Sequence, residues 1–263
     1  MVENKSILME QIKQNQYNSI VLSSNSELDA VKRFQTLLKQ APLPDDELMA
    51  NLGLFLSSKS LSRILFFYEL YQKVVPLHGV VIECGVRWGQ TLSILSALRG
   101  IFEPFNRHRK IIGFDTFEGF KGIDPLDGNR HRCQEGSFGV SEAYEHYLSE
   151  ILHLQEQLNP IGHLKKYELV KGDATETIPA YLAQHPETVV AMAIFDFDIY
   201  KPTKVALEAL KPYLMKGSIL VFDELCDDIF PGETVALREV FDMHQLRVQR
   251  MPMTARISYV ELL

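Results

Sequence analysis

Two short stretches carry the residues best suited to chemistry. Ala193-Ile194-Phe195-Asp196-Phe197-Asp198 and Ile219-Leu220-Val221-Phe222-Asp223-Glu224 each run from an apolar segment into a pair of acids. Asp196, Asp223 and Glu224 offer three hard oxygen ligands, the donor set of a magnesium-type cation that leaves room for water and substrate hydroxyls. Neither stretch contains histidine, which argues against zinc. Asp196 and Asp198 stand two apart, so an extended chain would place both on one side. Acids also end three earlier apolar runs, at Glu83, Asp115 and Asp173. In an open α/β sheet such strand ends converge on one edge, where ligands bind. Acids gathered there repel one another unless a cation joins them.

The segment around Glu83 narrows the chemistry further. Val80-Val81-Ile82-Glu83-Cys84-Gly85-Val86-Arg87-Trp88-Gly89-Gln90-Thr91 reads as a buried strand, a glycine turn and the start of a helix. A dinucleotide site wants Gly-x-Gly-x-x-Gly, with backbone amides facing a pyrophosphate. Here Glu83 occupies the place of the first glycine, and its carboxylate would repel a diphosphate. The pattern suits a phosphate-free, positively charged ligand such as S-adenosylmethionine, although an ordinary strand-to-helix turn would look the same. Asp115 is placed to accept from both hydroxyls of a ribose. Asp173 either caps the following helix or approaches an adenine amino group. Trp88 either stacks on a ligand or packs in the core.

These side chains need a scaffold, and the hydrophobic pattern supplies one. Helical spacing over residues 27–40 and 60–75 gives a helical entry segment across roughly 1–75, broken by Ala41-Pro42-Leu43-Pro44. Strands are expected at 80–84, 111–115, 167–171, 189–196 and 217–222, with helices at 89–100, 174–184, 203–214 and 232–243. The tail, 246–250 and 256–262, fits an antiparallel hairpin at the sheet edge. A glycine-rich loop over 116–141 is too long for a simple connection and reads either as a substrate lid or as a mobile surface loop. His131, in that loop, is the one histidine considered for a place near substrate, with a non-catalytic residue the favoured reading. Tyr200 and Lys201 follow the acidic strand within reach of a substrate, while Pro202-Thr203 start a helix.

The bulk numbers exclude several classes. The chain has 263 residues, a formal charge of −7, 46% hydrophobic and 23% charged residues, and an isoelectric point near 5.6. The acidic balance argues against a nucleic-acid partner, and Arg107-His108-Arg109-Lys110 reads as a basic run solvating a helix end. Cys84, Cys133 and Cys226 are too few for a disulfide framework or zinc cluster. The first 25 residues lack a signal-peptide core, and no apolar run is long enough for a membrane span. A cytoplasmic protein is expected, with oligomeric state left open, including a homo-oligomer.

The chain resembles the class I S-adenosylmethionine-dependent methyltransferases, and among them the macrocin O-methyltransferase family of antibiotic sugar methylases. The resemblance rests on Glu83–Gly89, Phe114–Gly119, Gly172–Ala174, Asp196–Thr203 and Val221–Glu224, in order across most of 79–225. It implies a doubly wound, seven-stranded, mostly parallel Rossmann-like sheet over 76–263, following the helical extension. It implies that Glu83 and Gly85 line the methionine part of the cofactor, that Asp115 holds the ribose and that the Thr116-Phe117-Glu118 turn flanks the adenosine; Val86, Trp88, Thr91, Asp173, Ala174 and Asp196 complete the candidate cofactor set. Asp196 and Asp223 match metal-binding acids, with Glu224 the third ligand expected for Mg2+, and Asp198 matches a proposed general base. The implied partner is a small-molecule hydroxyl acceptor containing a sugar. Where the family usually shows Asp-Asp, this chain has Asp223-Glu224, whose longer arm bears on the third metal contact. Amine methylation, a phenolic acceptor and a non-catalytic cofactor-binding protein are the alternative readings.

Overall fold

The computed structural model describes residues 24–128 and 133–263, so His131 lies outside the described residues. Its centre is one sheet of seven strands in the order β3-β2-β1-β4-β5-β7-β6. The strands are β1 (Val80–Cys84), β2 (Ile111–Asp115), β3 (Tyr167–Lys171), β4 (Val190–Phe195), β5 (Leu214–Phe222), β6 (Val248–Arg250) and β7 (Ser258–Glu261). β1 to β5 pair in parallel. β7 runs antiparallel between β5 and β6, closing the sheet with the expected terminal hairpin. The chain winds outward from β1 to β3 and then returns to place β4 on the other side of β1. That reversal opens a crevice beyond the carboxyl ends of β1 and β4.

Buried on both faces, the central strands read as continuous apolar runs, and alternate residues serve opposite layers. Val81, Ile111, Ile219 and Val221 pack toward α3 (Ser58–Val74), α4 (Gln90–Phe102) and α5 (Tyr144–Leu158). Ile82, Ile112, Leu220 and Phe222 pack toward α6 (Ala174–Gln184), α7 (Tyr200–Leu210) and α8 (Gly232–Val240). Glu83 shares the face of Val81 and therefore points toward α3 and α4. Two earlier helices, α1 (Asn25–Lys39) and α2 (Asp45–Ala50), precede α3.

Three departures from expectation stand out. Helix α5 lies in a stretch to which the hydrophobic pattern assigns no element; only Leu148, Leu152 and Glu156 of it are buried, too sparse an apolar stripe to declare itself. Helix α7 begins at Tyr200 rather than at 203, with Pro202 in its first turn. Arg109 does not solvate a helix end: it is 1% exposed. Its guanidinium pairs with Glu103 at 2.9 Å and donates to the carbonyls of Val74 and Leu77, fastening α3 to the sheet. Among the described residues, no helix is long and apolar enough to cross a membrane.

Candidate active site

The turn after β1 fixes how closely the two strand ends approach. Gly85 has φ +95°, and a Cβ there would sit 2.0 Å from the carbonyl oxygen of Asp196, so only glycine fits. The Asp196 amide donates to the Cys84 carbonyl at 2.8 Å, bringing β1 and β4 together just where their acids emerge. A cavity of about 360 Å³ opens over this junction. Its wall includes Glu83, Gly85, Val86, Trp88, Thr91, Asp115, Thr116, Asp173 and Ala174 from the predicted cofactor set, and all four acids Asp196, Asp198, Asp223 and Glu224.

On the β1–β3 side, the acids are held largely by backbone and near neighbours. Asp115 accepts from the amides of Arg87 at 2.7 Å and Phe117 at 2.6 Å, one on each oxygen. Both donors lie in the left-handed region, at φ 50° and 57°, a strained geometry for these residues that aims their amides at one carboxylate. Burial raises the Asp115 pKa and the amides oppose it. Asp173 caps α6 through the Thr175 amide at 2.9 Å and hydroxyl at 2.7 Å while remaining on the cavity wall. Trp88, half-buried, lines the cavity and stands edge-on to Tyr144 at 4.8 Å. Phe117 differs: its ring is 5% exposed within the core, so it offers the site its amide rather than its side chain.

Glu83 is the most constrained acid in this half. It is 1% exposed, and its Oε2 has no hydrogen-bond partner. Burial, reinforced by the negative charge of Asp196, pushes its pKa well above the carboxylate range, with Arg63 and a Thr91 hydrogen bond opposing. A buried carboxylate oxygen left without a donor at a cavity wall is costly unless a ligand completes it.

On the β4–β5 side, side chains from distant segments hold the acids. Single oxygens of Asp196, Asp198 and Glu224 all lie within 4.8 Å of one another, close enough to share a cation. The sequence places Asp223 in that group; the structure instead turns it to arginines. Arg63, from α3, bonds Asp223 and Asp196 at 3.1 Å each and reaches the Thr91 hydroxyl at 3.0 Å. Arg256, from the β6–β7 connection, approaches Asp223 at 3.6 Å and pairs with Glu224. Asp196 and Asp198 do share a side, but not by strand alternation. β4 ends at Phe195, and Asp198 faces inward through a left-handed turn at φ 62°. The pKa values of both are raised, by burial first and then by the neighbouring Asp223 carboxylate.

Three features here escaped the sequence reading. Arg63 and Arg256 lie in segments with no motif, one helical and one near the carboxyl terminus. Glu233, in the first turn of α8, is fully buried and accepts the Glu224 amide at 2.9 Å, with its other oxygen unpartnered. An acid at a helix start looks ordinary in sequence, so nothing singled it out. Lastly, Phe120 and Phe138 from the long loop meet Phe230 in an aromatic wall, with ring centroids 5.0 to 6.3 Å apart. Arg87 lies over the Phe138 ring at 4.9 Å. Asp127, buried within the same loop, accepts from the Tyr200 amide and pins the loop to the start of α7.

A doubly wound sheet of this order, with an acid and a glycine turn after β1 and a second acid after β2, defines a class I S-adenosylmethionine-dependent methyltransferase. No protein-family model matches the chain, and no curated protein sequence matches it. Solved structures do. The calicheamicin methyltransferase CalS11 is 41% identical, with a TM-score of 0.89, over 92% of this chain and 94% of that one. An apo structure of CalS11, described as a TDP-rhamnose 3'-O-methyltransferase of calicheamicin biosynthesis, is 39% identical at a TM-score of 0.81, over 92% and 96% of the two chains. The O-methyltransferase NovP shares the fold at 16% identity and a TM-score of 0.59, over 76% of this chain and 79% of its own. With that likeness running through nearly the whole of both chains, this protein belongs to the antibiotic sugar O-methyltransferase family of class I methyltransferases.

Proposed function

We propose that this enzyme methylates a hydroxyl of a sugar, free, nucleotide-linked or within a glycosylated natural product, with a divalent cation assisting. The observation that carries the reading is the grouping of Asp196, Asp198 and Glu224 in the wall of a cavity that Glu83 and Asp115 also line. CalS11, which acts on a TDP-rhamnose, supports a nucleotide-linked deoxysugar as the first acceptor to try.

S-adenosylmethionine supplies an electrophilic methyl group. The unpartnered Glu83 oxygen is suited to its ammonium, and Asp115 to its ribose hydroxyls. Gly85, Val86 and Thr91 line the path between them, while Trp88, Thr116, Asp173 and Ala174 border the adenosine. The Phe117 amide keeps the Asp115 carboxylate oriented. Asp198 accepts the proton of the acceptor hydroxyl, and a carboxylate whose pKa is raised toward neutrality is well matched to that task. With cofactor and acceptor bound in this cavity, its walls would serve to align the acceptor oxygen with the methyl group, and such positioning would contribute much of the rate.

The acids fit a magnesium-type ion. Glu224 leaves Oε2 buried without a partner, and every ligand offered is a hard oxygen. Asp196 and Glu224 are the ligands this geometry favours. Asp198 lies nearest as a third, and Asp223 would join by leaving Arg63. An ion held by these acids would supply Lewis-acid chemistry, lowering the pKa of an acceptor hydroxyl. The arginines favour a second reading in which Arg63 and Arg256 alone balance the acids and no metal is needed.

The long loop over 116–141 is proposed as the lid over the acceptor, since Phe120, Lys121 and Phe138 already line the cavity. To test the reading, labelled S-adenosylmethionine is supplied with matched nucleotide sugars bearing hydroxyl or amino groups. Label on oxygen supports O-methylation, and label only on nitrogen rejects it.

A further inference from the structure

Part of the cavity wall is an apolar cluster that belongs to neither layer of the core. Phe120, Phe138, Ile199 and Phe230 all line the cavity. They pack with one another, apart from the two clusters that cover the faces of the sheet. Phe120, Ile199 and Phe230 are nearly buried, while Phe138 is half-buried and so has the ring most open to a ligand.

The loop is built to hold that ring in place. The Phe120 amide donates to the Ser137 carbonyl at 2.9 Å, and the Gly136 amide donates to the Phe120 carbonyl at 2.9 Å. This clamp brings two arms of the loop together beside Phe138. It needs glycine at 119, where φ is +89° and a Cβ would sit 2.4 Å from the carbonyl oxygens of Gly136 and Ser137. Phe138 itself has φ 65°, a left-handed geometry that is strained for so bulky a residue. Such strain persists only where surrounding structure enforces it, and it gathers at ligand sites. Arg87 over the ring at 4.9 Å adds to that enforcement.

The cluster adjoins the acid proposed to take the acceptor proton. Ile199 follows Asp198 directly in the chain. Cys133 packs against the same cluster, and the Asp198 charge is among the causes that raise its pKa. A ligand group at this wall therefore lies about one sugar ring from the reacting hydroxyl. A nucleotide base, separated from that ring by a diphosphate and a ribose, lies farther off. The wall offers no conventional hydrogen-bonding side chain. A sugar hydroxyl pressed against it would lose its water without a partner, whereas a methyl group would gain by burial.

We propose that Phe138, backed by Phe120 and Phe230, is a specificity-determining residue that selects a 6-deoxyhexose acceptor over a hexose with a 6-hydroxyl. The inference rests on sugar O-methylation and adds the side chain that reads the methyl-bearing face of the sugar.

The test compares kcat/KM for TDP-rhamnose and for the TDP-mannose of the same hand, which differ only by the 6-hydroxyl. Wild type should favour TDP-rhamnose by about tenfold or more, the discrimination an apolar pocket can make against one added hydroxyl. Phe138→Ala should bring the two values together, mainly by lowering that for TDP-rhamnose, with S-adenosylmethionine affinity by calorimetry unchanged. Phe138→Leu, which keeps the wall apolar, should retain most of the preference. Equal values in wild type overturn the inference, as does a Phe138→Ala variant that slows both sugars alike, because the ring then only shapes the loop. Lost S-adenosylmethionine affinity in Phe138→Ala also overturns it, by placing the ring against the cofactor. A wild type that methylates neither sugar nor any other glycoside fails the proposed function itself, and the inference with it. Turnover of other glycosides but of neither TDP-sugar overturns the inference alone.

Discussion

The two halves of the crevice are built by different means. Beyond β1 to β3, Asp115 is fixed by the amides of Arg87 and Phe117, and Asp173 by its own helix start. Most of these partners lie within a few residues or on the adjoining strand turn. Beyond β4 and β5, Asp196 and Asp223 are held by Arg63, 133 and 160 residues away in sequence, and Glu224 by Arg256 and Glu233. The first half is preformed by local backbone geometry. The second depends on charge balance among side chains that tertiary folding brings together, and a bound cation or a changed pH acts on that balance directly.

The contrast predicts distinct responses to mutation. The largest effect belongs to Asp198→Asn. If the aspartate removes the acceptor proton, turnover should fall by about 10²–10⁴-fold while S-adenosylmethionine binding is kept. Direct metal titration of the same variant sharpens the assignment: retained magnesium affinity marks Asp198 as base, and lost affinity marks it as the third ligand. Next comes Asp115→Ala. Hydrogen bonds to a charged group are worth about 1.5–3 kcal/mol each, so cofactor affinity by calorimetry should drop at least about tenfold. Unchanged affinity in a folded variant removes the ribose role.

Arg63→Met probes the charge balance. Arg63 lowers the pKa of Asp196, against burial and the Asp198 and Asp223 charges that raise it. Losing the guanidinium should raise that pKa further and move the acidic limb of the kcat/KM profile to higher pH. An unmoved limb would show that the arginine serves packing alone. The smallest effect is on stability. Burial and four surrounding acids hold the Glu233 pKa well above its ordinary value. The folded protein therefore keeps a proton that the unfolded chain has released, and stability falls as pH rises above the ordinary glutamate range. Glu233→Gln removes this penalty and retains an acceptor for the Glu224 amide. Its Tm should exceed that of the wild type more at pH 8 than at pH 5, by about 2–4 °C for each kcal/mol gained. An equal shift at both pH values would contradict the buried-charge account.

What the sequence revealed follows the same division. Strand ends, the Gly85 turn and the acids after each strand were legible because a buried strand, a turn and a helix start are each written in a few consecutive residues. So was the terminal hairpin. Helix α5 was not, because its apolar stripe is short and interrupted. Nor was the grouping of Asp198, rather than Asp223, with Asp196 and Glu224, since it depends on a left-handed turn at Asp198 and on two arginines from elsewhere. Arg109 shows the same limit: a basic run looks like a solvated surface until tertiary folding buries one member against three carbonyls.

The central claim is that a preformed cofactor half adjoins a cation-dependent acceptor half. One calorimetric and kinetic series on chelator-treated wild type tests it directly, using S-adenosylmethionine and a nucleotide-linked deoxysugar, without and then with magnesium. The account predicts the same S-adenosylmethionine affinity in both conditions, with methyl transfer low in chelator and restored by magnesium. Full-speed transfer in chelator would contradict the metal role and leave Arg63 and Arg256 to balance the acids. Cofactor binding that itself required magnesium would contradict the division between the two halves.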